Sequence, residues 1–137
     1  SDDVVVIKRL PPAILIGMAS DIIRYHMEIR GLGIVNVKDI YGITAIRERK
    51  QMDLVVELAR WETDGEYERL GFEEKTCDIL GVPMPYIKVP VSPGRSVATI
   101  VEVAARNQIL KIMGHHPAKG LQADLEKALK GQGRVKD

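Results

Sequence analysis

"SDIIRYHMEIRGLGIVNV", residues 20–37, is the stretch on which the reading of the first half of the chain turns. Ser20 is available as an N-cap, and Ile22, Ile23 and Met27 are spaced for one helix face. That spacing predicts a helix from Ser20 to Arg30, ended by Gly31 or Gly33. The second part, "MEIRGLGIVNV" (27–37), sets Glu28 and Arg30 beside two glycines in an otherwise apolar run. Either charged side chain is costly to bury unless something pairs with it or coordinates it. Glu28 therefore asks for a partner.

Upstream, "SDDVVVIK" places two acids directly against a β-branched run and reads like a cut through a longer protein. Val4 to Ile7 and Ala13 to Ile16, separated by "KRLPP", predict a strand pair with Pro11 and Pro12 as turn punctuation. Downstream, "DLVVELA" (53–59) reads as a strand, and "EKTCDIL" (74–80) and "MPYIKVPV" (84–91) as further strands whose prolines favour edge positions. From Pro93 to Met113 the period is helical, with Val97, Ile100, Val101, Ala104 and Ala105 facing a core and Glu102, Arg106 and Lys111 able to reach solvent. Gly114 stops that helix. A last helix starts near Pro117, carries Leu121, Leu125, Ala128 and Leu129 on one stripe, and ends at Gly131. The tail "QGRVKD" is expected to be disordered. Strands first and helices last make a mixed α/β or α+β protein.

The 137 residues are enough for one domain with a single core, and 45% hydrophobic and 28% charged residues are ordinary for a globular protein. Twenty Lys and Arg against 19 Asp and Glu argue for neither a nucleic-acid footprint nor a membrane-seeking surface, so a charged partner must be met by a local site. No apolar run approaches the roughly 18 residues of a membrane span, and no signal segment opens the chain. With Cys77 the lone cysteine, the expected setting is the reducing cytoplasm.

The most interpretable local chemistry is "PVSPGRS" (90–96). Ser92 can cap the following helix, Pro93 suits its first position, Gly94 lets backbone approach a ligand, and Arg95 adds a forked cation at the positive helix end. Together these make an anion site, most naturally for phosphate. A capped helix with a solvent-facing arginine has the same sequence. "GEYERLG" (65–71) is a polar turn holding Arg69, and Asp2 and Asp3 are turn residues or a base with its neighbour. "GLG" (31–33) lacks the later glycine of a dinucleotide fingerprint. His115 and His116 are adjacent and point apart, with no third ligand at metal spacing.

Taken in order, "DD", "EIRGLGIVNV", "YERLG", "PVSPGRSVATIVEVAARN" and "MG" resemble the C-terminal catalytic domain of the HPr kinase/phosphorylase family. The resemblance covers residues 1–114, followed by a C-terminal helix (115–131) and the tail (132–137). It implies an α/β fold with a P-loop kinase core similar to the phosphoenolpyruvate-carboxykinase type, plus C-terminal helices. It also implies a bifunctional enzyme that phosphorylates a serine of the phosphocarrier HPr with ATP or pyrophosphate, and dephosphorylates it by phosphorolysis. Such an enzyme controls carbon catabolite regulation and sugar uptake, works in the cytoplasm and assembles as a hexamer.

Residue by residue, the resemblance makes Asp3 the base that takes the serine proton. Glu28 becomes the ligand of Mg²⁺, and Arg69 an arginine that steadies charge on the moving phosphoryl group. Met27, Glu28, Ile29, Arg30, Gly31, Leu32, Gly33, Ile34, Val35 and Asn36 fall in the segment needed for both directions. Pro90, Val91, Ser92, Pro93, Gly94 and Arg95 fall in the segment tied to dephosphorylation. The chain departs from the family at Ser92, usually basic, and at Ser96, usually Asn. It contains no G-x-x-x-x-G-K-S/T loop, and the family's histidine that precedes that loop is also absent, so the expectation is half of a catalytic domain, inactive alone. A non-catalytic HPr-binding or assembly module, and a related P-loop kinase with another substrate, remain alternatives.

Overall fold

The computed structural model describes residues 1–62 and 74–132. The chain divides into two units, Ser1–Asp53 with Asp78–Val82, and Leu54–Cys77 with Pro83–Asp137.

In the first unit, strand β1 (Val6–Leu10) pairs antiparallel with β2 (Ile14–Met18), with Val6 opposite Met18 and Leu10 opposite Ile14. The expected strand pair is there, but β1 starts later and runs on through the polar residues Lys8 and Arg9. Arg9 is held by partners: its guanidinium donates to the carbonyls of Leu80 (2.9 Å) and Pro12 (3.3 Å). Leu15 on β2 is fully buried.

The helix expected over residues 20–30 is not formed. Instead β3 (His26–Ile29) and β4 (Gly33–Asn36) make an antiparallel hairpin, with Glu28 opposite Ile34 and Ile29 opposite Gly33. Two physical reasons account for the difference. Ile22 is 91% exposed, so the apolar spacing has nothing to bury against, and Tyr25 takes φ 73°, which a helix interior forbids. Cations flank the Tyr25 ring, with the Arg24 guanidinium carbon 5.2 Å and the Lys38 ammonium 5.1 Å from its centroid. Asn36 then caps a short helix α1 (Val37–Tyr41), accepting from the Lys38 and Asp39 N–H groups at 3.0 and 3.2 Å. A 3-10 turn (Ile43–Ala45) leads to β5 (Arg49–Gln51), which extends the first sheet in the order β1-β2-β5.

The second sheet has the order β6-β8-β7, built from β6 (Val55–Arg60), β7 (Lys75–Ile79) and β8 (Val82–Val91). β6 and β8 run parallel, from Val55 opposite Tyr86 to Arg60 opposite Val91. The Tyr86 hydroxyl donates to the Glu57 carboxylate, and this bond, ahead of desolvation and nearby charge, raises the Tyr86 phenol above its usual range. β8 is the middle strand, so the edge placement expected from its prolines is corrected. Its ladder with β6 covers only Tyr86–Val91, and β7 has five residues to set beside its ten. Stretches of β8 therefore have a neighbour on one side only, where a residue without an N–H is tolerated. Met84 and Val89 are buried there.

Helix α2 spans Val97–Ile112 and α3 spans Pro117–Gln132. Val97, Ile100, Val101 and Ala104 are half-buried, as the helical period requires, while Ala105 is exposed. On the outer face Glu102 accepts from Arg106 Nε (3.0 Å) and Nη2 (2.9 Å). Ser96, not Ser92, is the N-cap of α2, accepting from the Thr99 N–H at 3.4 Å. Pro93 consequently lies outside the helix. The leucine stripe of α3 is not buried, since Leu121, Leu125 and Leu129 are all exposed, and the helix backbone passes Gly131 by one residue. Residues 133–137 of the tail lie outside the described residues.

Candidate functional site

The β3–β4 hairpin positions Glu28 by strand alternation. His26 and Glu28 share one face with Asn36 and Ile34 across the pair, while Met27, Ile29 and Val35 take the other. The connection Arg30-Gly31-Leu32 is closed by the Leu32 N–H donating to the Ile29 carbonyl at 3.0 Å. Gly31 has φ 84°, a left-handed value that favours glycine. An added Cβ would meet nothing within 4 Å, so the requirement lies in the backbone rather than in packing.

All four residues of β3 are exposed, as are Arg30, Leu32 and Ile34. The reason first given for Glu28, the cost of burying it in an apolar run, is therefore corrected: its carboxylate is open to water. What the fold supplies instead is a second acid. Asp2 Oδ2 accepts from the Glu28 N–H at 2.7 Å, a short charge-assisted bond that ties the start of the chain to β3. Asp3 is the next residue, exposed, and engaged in no hydrogen bond or ion pair among the described residues.

Among the described residues no group of three His, Cys, Asp or Glu is placed to hold a metal. Mg²⁺ does not need three, because it binds through one or two carboxylates and fills its remaining positions with water and phosphate oxygens. The exposed carboxylate of Glu28 is a hard oxygen donor with the chemistry for that ion.

In the second unit, residues 90–95 follow the ladder to the carboxyl ends of two parallel strands. Pro90 lies opposite Ala59 and Val91 opposite Arg60. The chain then turns, with the Arg95 N–H donating to the Ser92 carbonyl at 3.2 Å. Pro93 at the second position and Gly94 with φ 80° at the third have the signature of a type II turn. The anion site at a Ser92-capped helix is thus corrected: Ser92, Pro93, Gly94 and Arg95 form a turn ahead of the helix.

Arg95 lies over an aromatic ring, its guanidinium carbon 5.7 Å from the Trp61 centroid. The Trp61 backbone N–H donates to the Val91 carbonyl at 3.1 Å. Trp61 was missed in the sequence. The available signal was the sole tryptophan of the chain standing directly after an apolar strand run.

The structure thus joins Asp2 to β3 at Glu28 in the first unit, and Arg95 to Trp61 in the second. Arg69 and the rest of "GEYERLG" lie outside the described residues. Two clefts of about 850 and 210 Å³, one beside Ile16 and Arg49 and the other beside Tyr86 and His116, are lined by none of Asp2, Asp3, residues 27–36 or residues 90–95.

Comparison with known proteins gives this geometry a family. Residues 1–125 match the HPr Serine kinase C-terminal domain, and the chain belongs to that family. It is 50% identical over 119 residues to the HPr kinase/phosphorylase of Geobacter sulfurreducens, covering 87% of this chain and 37% of that protein. It is 51% identical over 121 residues to the HPr kinase/phosphorylase of Leptospira biflexa, covering 87% of this chain and 38% of the relative. The chain spans about two fifths of the length of these relatives. Among solved structures, the Hpr(Ser) kinase/phosphatase from Coxiella burnetii is similar with a TM-score of 0.70 at 27% identity, covering 80% of this chain and 67% of that one. The fold is a mixed α/β fold of the HPr kinase kind.

Proposed function

We propose that this chain is the C-terminal part of the catalytic domain of a bifunctional HPr kinase/phosphorylase. In this reading residues 1–114 belong to a P-loop kinase core of the phosphoenolpyruvate-carboxykinase type, whose phosphate-cradling loop lies on residues outside these 137, and residues 115–131 add a C-terminal helix. The observation that carries it is the identity of about one half with two enzymes of that name over nearly nine tenths of the chain.

In the forward direction Asp3 takes the proton from a serine hydroxyl of HPr as its oxygen attacks the terminal phosphorus of ATP or pyrophosphate; the bridging P–O bond breaks and ADP or phosphate leaves. In reverse, inorganic phosphate attacks phosphoserine, Asp3 returns the proton to the leaving serine oxygen, and pyrophosphate is released. The bond from Asp2 to the Glu28 N–H ties the segment bearing this base to the strand bearing the metal ligand. Glu28 would hold Mg²⁺, which when bound neutralises charge on the nucleotide phosphates. Arg69 steadies the equatorial oxygens of the moving phosphoryl group, so both directions depend on it. Residues 90–95 receive the phosphate nucleophile. The functional enzyme is a cytoplasmic hexamer acting on HPr.

Phosphoryl transfer depends chiefly on positioning and electrostatic stabilisation, and the loop that positions the triphosphate is absent from this sequence. Purified residues 1–137 with Mg²⁺, ATP and HPr should therefore leave HPr unmodified by intact-mass measurement. The full-length enzyme that carries this chain should phosphorylate it on serine. Clear turnover by residues 1–137 alone would show that the nucleotide site has been misplaced.

A further inference from the structure

We infer that Trp61 is a positioning residue for phosphorolysis: its indole face holds the Arg95 guanidinium so that the guanidinium edge is presented to inorganic phosphate. The inference rests on the proposed role of residues 90–95 and adds the residue that follows β6. Arg95 occupies a turn that is exposed from Pro93 to Ser96, and a long arginine side chain in such a place samples many rotamers unless something restrains it. Trp61 provides the restraint in two ways. Its backbone N–H, which any residue here would supply, bonds the Val91 carbonyl at 3.1 Å and ties the residue after β6 to the last residue of β8. Its ring lies 5.7 Å from the Arg95 guanidinium carbon, within cation–π range.

The geometry suits an oxyanion ligand. Stacking engages the flat face of a guanidinium and leaves its N–H edge available, and that edge is what grips phosphate oxygens in pairs. Both residues stand just past the carboxyl ends of parallel β6 and β8, where ligands of open α/β sheets characteristically bind. The Pro93-Gly94 turn fixes the backbone from which Arg95 projects. Backbone turn and aromatic face together set the guanidinium before phosphate arrives.

The test is phosphorolysis of serine-phosphorylated HPr by the full-length enzyme, with phosphate varied, for wild type, Trp61→Leu, Trp61→Phe, Arg95→Ala and the Trp61→Leu/Arg95→Ala pair. Trp61→Leu should raise the KM for phosphate about 2- to 5-fold, the factor for a cation–π contact at a half-exposed site, with a smaller change in kcat. Trp61→Phe should restore most of the affinity, because a benzene ring still stacks. In the Arg95→Ala background Trp61→Leu should add nothing further. A phosphate-induced change in tryptophan emission should be present in wild type and lost in Trp61→Phe. An Arg95→Ala variant with normal phosphate KM would overturn the reading of the whole segment. A large Arg95→Ala effect with Trp61→Leu silent, or an equal loss in both Trp61 variants and both directions, would overturn the positioning role alone.

Discussion

The β3–β4 hairpin and the turn between β8 and α2 both present candidate groups from a glycine-containing bend, yet they are held by different means. The hairpin is local, with β3 and β4 pairing over four residues each and all of β3 exposed. A side chain from outside the hairpin, Asp2, accepts from the Glu28 N–H. The 90–95 turn instead grows from a ladder in which β8 is the middle strand, next to buried Val89 and Pro90, and Trp61, the residue after β6, braces it. On the proposed roles, the metal ligand stands on an exposed hairpin and the phosphate ligand at the end of a sheet with buried residues. The proposed roles would divide the labour accordingly: Glu28 would meet an ion whose other positions belong to water and substrate, whereas Arg95 would be aimed without such help.

The largest effect that bears on this contrast should come from the acid pair. Asp3→Asn in the full-length enzyme removes the proposed base and should lower both phosphorylation and phosphorolysis by about 10²- to 10⁴-fold. Rates of HPr modification in each direction, measured on the same preparation, check it. A loss confined to one direction would detach Asp3 from the proton transfer common to both.

Two glycines sharpen the comparison at the next level. Gly31 and Gly94 have φ 84° and 80°, and a Cβ on either would meet open space. Each alanine substitution should therefore cost about 1–2 kcal/mol of local backbone energy through conformation alone. The functional losses should divide. Gly31→Ala should slow both directions and Gly94→Ala mainly phosphorolysis, as steady-state assays of the two variants would show.

The smallest effect distinguishes two serines. Ser96→Ala should destabilise α2 by about 1 kcal/mol because it removes the N-cap, while Ser92→Ala, which leaves the Ser92 carbonyl bond intact, should change stability by a few tenths at most. Urea unfolding of both variants decides between them.

These regions also mark what the sequence carried. The helical period of Val97, Ile100, Val101 and Ala104 was legible because it repeats over a long helix. Four-residue strands offer too few positions to separate a period of 2 from one of 3.6, so the spacing over Ser20 to Arg30 fits a helix as well as a strand. Glycines 31 and 33 after "EI" were as good a hairpin signal as a helix stop, and Met27 and Ile29 alternate. Pro-Gly at 93–94 is a type II turn signature, but the plausible cap at Ser92 took precedence over the better one at Ser96. The central position of β8 was not readable, because it depends on β6 pairing across a sequence separation of about thirty residues. The resemblance to a family carried the function further than any local pattern did, since it rests on the order of several motifs at once.

The measurement that tests the account most directly is the ratio of phosphorolysis to phosphorylation rates for Glu28→Gln and Arg95→Ala, each in the full-length enzyme with saturating HPr or phospho-HPr, limiting phosphate and a range of Mg²⁺. On the proposed roles both directions share the metal, so Glu28→Gln should depress them together, raise the Mg²⁺ requirement and leave the ratio near that of wild type. Only phosphorolysis must bind free phosphate as a nucleophile, so Arg95→Ala should lower the ratio by about 10-fold. Ratios unchanged in both variants, or a Mg²⁺ dependence untouched by Glu28→Gln, would contradict the assignment of the two regions.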